Sequence, residues 1–245
     1  MKAKAVTVCV DYWDFLAITL PINRSMFESV TLVTASHDKE TQRLAEEYGA
    51  GLVVTDLFYD REAVFNKWKA LEYALDVVGR DGWICLLDAD IVLPTEFQYL
   101  SPEVGRLYTP RRRMMDRVEL PIPTYDDWLK YPLARNDREF SGYCQLFHAT
   151  DRVLGAPPWH ETNWRHAGGA DSFFQAKWDV KNKIRPPFEC LHLGEAGRNW
   201  CGRSTQFLDG TTPAEGQERQ KQLRKFMEDR GSGPRRFEKE KYQAD

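Results

Sequence analysis

The sequence lacks the marks of a disulfide-stapled fold, a membrane span or a nucleic-acid coat. Five cysteines in 245 residues, at 9, 85, 144, 190 and 201, include no C-x-x-C pair, and their odd number argues against a full disulfide framework. Four of them lie in apolar, strand-like runs, where a free cysteine behaves as a small core residue. A reducing, intracellular setting is therefore expected. No apolar run is long enough to cross a bilayer, and the first residues begin a strand without a signal-peptide pattern, so the expected location is the cytoplasm. The formal net charge of -3 leaves no global basic footprint, and any basic surface must be local. A glycine-rich phosphate loop after the first strand is also missing. Asp11-Tyr12-Trp13-Asp14 stands in its place, which counts against a nucleotidyltransferase. A phosphohydrolase with a nucleophilic aspartate would carry its acidic pair at that same point, and this chain carries it later.

What the chain does contain suffices for one sizeable α/β domain with a tail, since 42% of residues are hydrophobic and 13% aromatic. Apolar runs at 5–10, 30–34, 52–55 and 83–87 have the length and continuity of strands buried on both faces. Between them lie a first helix from Phe15 that Pro21 disturbs, an amphipathic helix over 38–48 closed by Gly49, and a helix over 63–75 with Val64, Trp68, Leu71 and Leu75 at helical spacing. This alternation predicts a doubly wound, mostly parallel sheet flanked by helices. Beyond Pro94, prolines at 102, 110, 121, 123 and 132 permit only short elements. Further strands are expected at 143–148 and 188–193, a helix over 172–178, a polar helix over 215–229 and a mobile tail over 231–245.

The chemistry centres on Trp83 to Pro94, where an apolar run breaks at Asp88-Ala89-Asp90. In an extended chain residues i and i+2 face one way, and two carboxylates facing one point repel unless a cation lies between them. The strand's carboxyl end is also where open α/β sheets bind ligands. A divalent-metal site for a diphosphate is one reading, and a strand-end turn is the other.

In order and spacing, Asp88-Ala89-Asp90, Asp11-Tyr12, Phe65-Asn66-Lys67, Gly168-Gly169-Ala170-Asp171 and His192-Leu193-Gly194 resemble the nucleotide-sugar-dependent glycosyltransferases of the GT-A fold, over roughly residues 4 to 204. The resemblance implies a single GT-A-like domain over 1–210, with a nucleotide-binding half (1–94) and an acceptor half (95–210). Residues 211–245 would follow as a C-terminal helix and tail. It implies a metal-dependent enzyme that moves a sugar from a nucleotide-diphosphate sugar to an acceptor hydroxyl, with UDP the commonest nucleotide of the fold.

Asp88 and Asp90 would hold Mn2+ or Mg2+, with Asp88 also reaching the donor, and His192 would complete the set, since imidazole tilts preference toward Mn2+. Asp11 and Tyr12 would meet the donor's base, and Asn66 and Lys67 the base or ribose; an exposed helix face is the alternative for the latter two. Asp171 would be the base of an inverting transfer or a helix N-cap. Arg198 and Arg203, in a loop from Gly194 to Arg203, would bind the diphosphate. Arg111, Arg112 and Arg113 form either a solvated face or an anionic-acceptor site, with Trp164 in an aromatic platform for sugars or bases. The acceptor stays open between a saccharide, a lipid-linked or other small molecule, and a hydroxymethylated base of DNA. A non-catalytic nucleotide-sugar-binding module is the reading from another class.

Overall fold

A computed structural model describes residues 2–134, 140–194 and 201–229. Strands β1 (Ala3–Val8), β2 (Ser29–Thr34), β3 (Gly51–Val54) and β4 (Trp83–Leu87) alternate with helices α1 (Trp13–Asn23), α2 (Lys39–Glu47) and α3 (Lys67–Val78). The second half supplies β5 (Ile91–Val92), β6 (Leu107–Tyr108), β7 (Arg111–Met115), β8 (Cys144–His148), α4 (Ala170–Gln175), β9 (Lys183–Ile184), β10 (Glu189–Leu193) and α5 (Ala214–Asp229).

Among the described residues seven strands form the main sheet, in the order β3-β2-β1-β4-β8-β6-β9. The first four run parallel. β8 is antiparallel to β4 and to β6, and β9 returns parallel to β6. The mostly parallel α/β sheet expected from the strand runs is thus present. Its strands read as continuous apolar runs because helices cover both faces. Leu32, Cys85 and Leu146 pack on one side with Leu16 and Leu20 of α1 and Leu44 of α2. Their neighbours Val33, Ile84 and Phe147 pack on the other side with Trp68, Leu71 and Leu75 of α3. All five cysteines are free and buried. No helix among the described residues is long and apolar enough to cross a membrane.

Two expectations shift. Pro21 lies inside α1 and does not end it. An interior proline costs about 3 kcal/mol, whereas burying each of Phe15, Leu16 and Leu20 contributes about 1.5–3 kcal/mol, so packing wins. The helix expected from Ala63 begins at Lys67. Asn66 caps it by accepting the Lys69 N–H at 3.1 Å, and 63–65 lie in the preceding turn.

A smaller sheet, β5-β10-β7, joins the two halves beside the acidic pair. The apolar run from Trp83 therefore serves two sheets: β4 ends at Leu87, the chain turns through the two aspartates, and β5 enters the small sheet antiparallel to β10.

Candidate active site

The turn between β4 and β5 sets the geometry of the acids. The Ile91 N–H bonds back to the Asp88 carbonyl at 3.3 Å, and the Asp88 N–H is held by the Tyr143 carbonyl at 2.9 Å. Asp88 and Asp90 are thus not alternate residues of an extended strand, and strand alternation does not bring their side chains together. Asp88 points to Lys67, whose Nζ lies 2.5 Å from Asp88 Oδ1. Asp90 points to His192. The β5–β10 register sets His192 opposite Ile91, the Leu193 N–H bonds to the Asp90 carbonyl at 2.8 Å, and His192 Nε2 comes to 3.5 Å from Asp90 Oδ2. Sequence spacing of about a hundred residues is closed here by one strand pairing.

The electrostatics are those of a buried acidic centre. Burial raises the Asp90 carboxyl above its ordinary value and the Asp88 charge adds to this, against the pull of His192 and Arg112. Burial by itself would lower Lys67, but the charges of Asp88, Asp171 and Asp90 outweigh it and hold the ammonium up. The Tyr12 phenol is pushed well up by burial and then by the charge of Asp90.

Among the described residues no three His, Cys, Asp or Glu side chains are gathered closely enough to hold a metal as they stand, because Asp88 is turned to Lys67. Two features nevertheless fit a cation. Asp90 Oδ1 is buried with no hydrogen-bond partner among the described residues, a costly state for a carboxylate oxygen. His192 Nδ1 lies 3.3 Å from the Gly194 carbonyl, which can only accept, so this nitrogen carries the proton. Nε2 is then the ring nitrogen that faces Asp90 Oδ2, and a proton or a metal ion can lie between the two.

Asp171 belongs to the same neighbourhood. It is the second residue of α4, whose N-cap is Gly169 at φ 99, so the capping role open to Asp171 falls to Gly169. Its carboxylate instead accepts the Gly142 N–H at 3.0 Å and the Ser172 N–H at 2.9 Å. A carboxylate has about four acceptor positions, and two fixed by backbone leave the others for a ligand. Gly142 is needed at this contact: a Cβ there would meet Asp171 Cβ at 2.9 Å.

The other expected residues separate. Both ends of the Asn66 side chain are engaged, by the Lys69 N–H and by the Thr162 carbonyl at 2.6 Å, so it fastens α3 to the second half. Asp11, at φ 60, directs its carboxylate to Arg219 of α5 at 3.0 Å and to His37 at 3.5 Å. Arg203, expected on the donor phosphates, is fully buried. It is paired with Asp14 and donates to the backbone carbonyls of Asp11, Thr205 and Gln206, leaving no face for a phosphate. Arg198 lies outside the described residues.

Nor do the three arginines form one patch, because β7 alternates them. Arg113 pairs with Glu189 at 2.5 Å, while Arg112 stacks on Tyr143 at 4.5 Å and lies close enough to Asp90 to influence it. Arg111 is exposed. Trp164 is only 1% exposed and packs in the core, so it is no platform for an acceptor.

No family model matches the chain, and no curated protein matches its sequence. Among solved structures, a crystal structure of Staphylococcus aureus TarS residues 1–349 is similar with a TM-score of 0.51, at 12% identity, over 79% of this chain and 60% of that one. A longer TarS structure gives 0.50, at 9% identity, over 79% and 37%. The chain thus spans 60% or less of the TarS chains it matches. Glucosyl-3-phosphoglycerate synthase from Mycobacterium tuberculosis, crystallised with Mn2+, UDP and glucosyl-3-phosphoglycerate, gives 0.46, at 13% identity, over 95% and 81%. The shared feature is the fold, which is GT-A-like.

Proposed function

We propose that this protein is a metal-dependent glycosyltransferase that moves a sugar from a nucleoside-diphosphate donor to an acceptor hydroxyl with inversion. The observation that carries this reading is the Asp90–His192 pair. Asp90 turns Oδ2 toward His192 Nε2 at 3.5 Å and keeps Oδ1 buried without a hydrogen-bond partner among the described residues, at the carboxyl edge of a parallel sheet with Asp171 in the same electrostatic neighbourhood. Asp90 and His192 would hold the ion, and Asp88 would join them on releasing Lys67. A divalent cation bound there supplies the Lewis-acid charge that a departing diphosphate needs. Lys67, freed from Asp88, adds a second positive charge beside the same leaving group. Asp171, oriented by two backbone N–H groups, takes the proton of the acceptor hydroxyl as that oxygen attacks from the face opposite the diphosphate.

The nucleotide is read as UDP and the metal as Mn2+, the imidazole favouring Mn2+ over Mg2+. With Arg111 to Arg113 divided between the two sides of β7, no observation favours a DNA acceptor over a small-molecule or saccharide one.

The test is donor binding with and without metal. Titrating UDP in Mn2+ and in chelator separates the metal-dependent part of the affinity, and saturation a hundredfold above Kd stabilises the fold by about 2.7 kcal/mol. In Asp90→Ala the metal-dependent increment is expected to vanish, a drop of about tenfold or more in affinity for a lost first ligand. An Asp90→Ala protein that binds UDP in Mn2+ as tightly as the unaltered chain would remove the metal site from this account.

A further inference from the structure

Strand β8 buries a polar side chain between apolar ones. Cys144 and Leu146 pack on the side of the sheet that α1 and α2 cover. Strand alternation puts Gln145 on the other side with Phe147, under α3 and α4. Gln145 is 0% exposed. Its Nε2 donates to the Phe140 carbonyl at 3.0 Å, while Oε1 is buried with no hydrogen-bond partner among the described residues. An unmet buried acceptor costs free energy, and a leucine or methionine would fill this place without one. Packing therefore does not account for the amide; its grip on Phe140 does.

The gripped segment makes two contacts with the candidate site. The Gly142 N–H goes to the Asp171 carboxylate at 3.0 Å, and the Tyr143 carbonyl takes the Asp88 N–H at 2.9 Å. Adjacent residues of one turn thus hold both the candidate base and the turn that bears the acids. The approach at Gly142 is close, since a Cβ there would meet Asp171 Cβ at 2.9 Å and the Trp68 ring at 3.4 Å. From another side the Arg185 guanidinium covers the Phe140 ring at 4.2 Å and donates to the Tyr143 hydroxyl at 3.1 Å. That hydroxyl donates in turn to the Pro110 carbonyl at 2.5 Å. Tyr143 is anchored by its side chain and Phe140 by its carbonyl, with Gly142 between the two anchors.

We propose that Gln145 is a positioning residue for sugar transfer: by holding the Phe140 carbonyl it fixes the 140–143 segment, which sets Asp171 against the acidic turn at Asp88. This rests on the donor and base reading above. Proton transfer to Asp171 requires the acceptor oxygen and the carboxylate in register with the sugar, and a displacement of about 1 Å can cost about a hundredfold in rate. Gln145 touches no reacting atom and acts through Gly142 and Asp171.

The test compares the full chain with Gln145→Met, which keeps the shape and removes both the donor and the unmet oxygen; Gln145→Leu is a second apolar variant and should behave alike. Phe140 is half-buried, so its carbonyl can turn to water, and Tm should hold within about 5 °C. Amide exchange by NMR on the metal-free protein reads the first link, and the Gly142 N–H is expected to exchange about tenfold faster or more. UDP-glucose and UDP-N-acetylglucosamine in Mn2+, with water as acceptor, read the second. The water oxygen bonds to the sugar C1, its proton passes to Asp171, and UDP leaves. UDP release at saturating donor is expected to fall about 10- to 100-fold, while UDP affinity holds within about threefold. In an Asp171→Asn background the same substitution should cost less than about threefold more, because a residue acting through Asp171 then has no base to position. A merely structural Gln145 gives losses that multiply. Unchanged Gly142 exchange, unchanged UDP release, an equal loss of UDP affinity, or losses that multiply would each overturn the assignment and leave the donor reading standing. If the unaltered chain cleaves neither UDP-sugar, the donor reading falls and this assignment with it.

Discussion

Asp171→Asn is expected to leave UDP and Mn2+ binding unchanged and to lower sugar transfer by about 10²- to 10⁴-fold, the usual contribution of a positioned general base. The substitution is nearly isosteric, so positions are kept while basicity is removed. The asparagine oxygen can still accept one of the two N–H groups, from Gly142 or Ser172, that now fix the carboxylate. The other loses its acceptor, at about 1 kcal/mol or somewhat more, which a melting curve will register without unfolding the chain. Single-turnover transfer separates this outcome from an effect on product release. Transfer within a few-fold of the unaltered protein would reduce Asp171 to a brace for the 140–142 segment. Loss of transfer together with loss of UDP binding would mean that Asp171 shapes the donor site.

The fold was largely legible because its strands are covered on both faces, and continuous apolar runs are what such strands require. Asp90 with His192 was legible for a different reason. Strand-end acids and a strand-end histidine are common, but the pairing of β5 with β10 makes them meet, and a family pattern carried that information. Arg203 and Asn66 are engaged elsewhere, because a side chain's local chemistry can resemble its functional chemistry. Arg203 has the forked donors suited to phosphate, and the protein uses that fork on Asp14 and three carbonyls. Asn66 is a good nucleotide ligand and a good cap, and it is the cap. The Arg111–Arg113 run read as one patch because charge runs show no period by eye, whereas a strand of period two divides them.

Glu72→Ala is expected to destabilise the protein by about 3–5 kcal/mol, the cost of removing one partner of a buried ion pair. Glu72 is 4% exposed on α3. One oxygen receives the His160 N–H at 2.8 Å and His160 Nδ1 at 2.5 Å, and the other receives the Trp159 N–H at 3.0 Å and Arg80 at 2.8 Å. Alanine would leave the Trp159 and His160 N–H groups and His160 Nδ1 unmet, and Arg80 with only the residue-72 carbonyl of its two acceptors there.

The contact also sets the site. It ties α3, which presents Lys67, to the segment whose His160 ring stacks on Trp68 at 4.9 Å and on Phe174 of α4 at 4.0 Å. Burial would raise the Glu72 carboxyl, but the His160 and Arg80 interactions outweigh it and hold it below its ordinary value. His160 is lowered by burial against the opposing pull of Glu72, so the neutral ring donates from Nδ1. Because the folded Glu72 pKa is depressed, its contribution is complete above the unfolded value of about 4.3 and is lost as pH falls through the folded one. Urea unfolding of the unaltered chain and of Glu72→Gln should therefore differ most at pH 6 to 7 and converge in acid. A gap that stays constant from pH 7 to pH 3 would show that the carboxylate's charge has no part in holding α3 to α4.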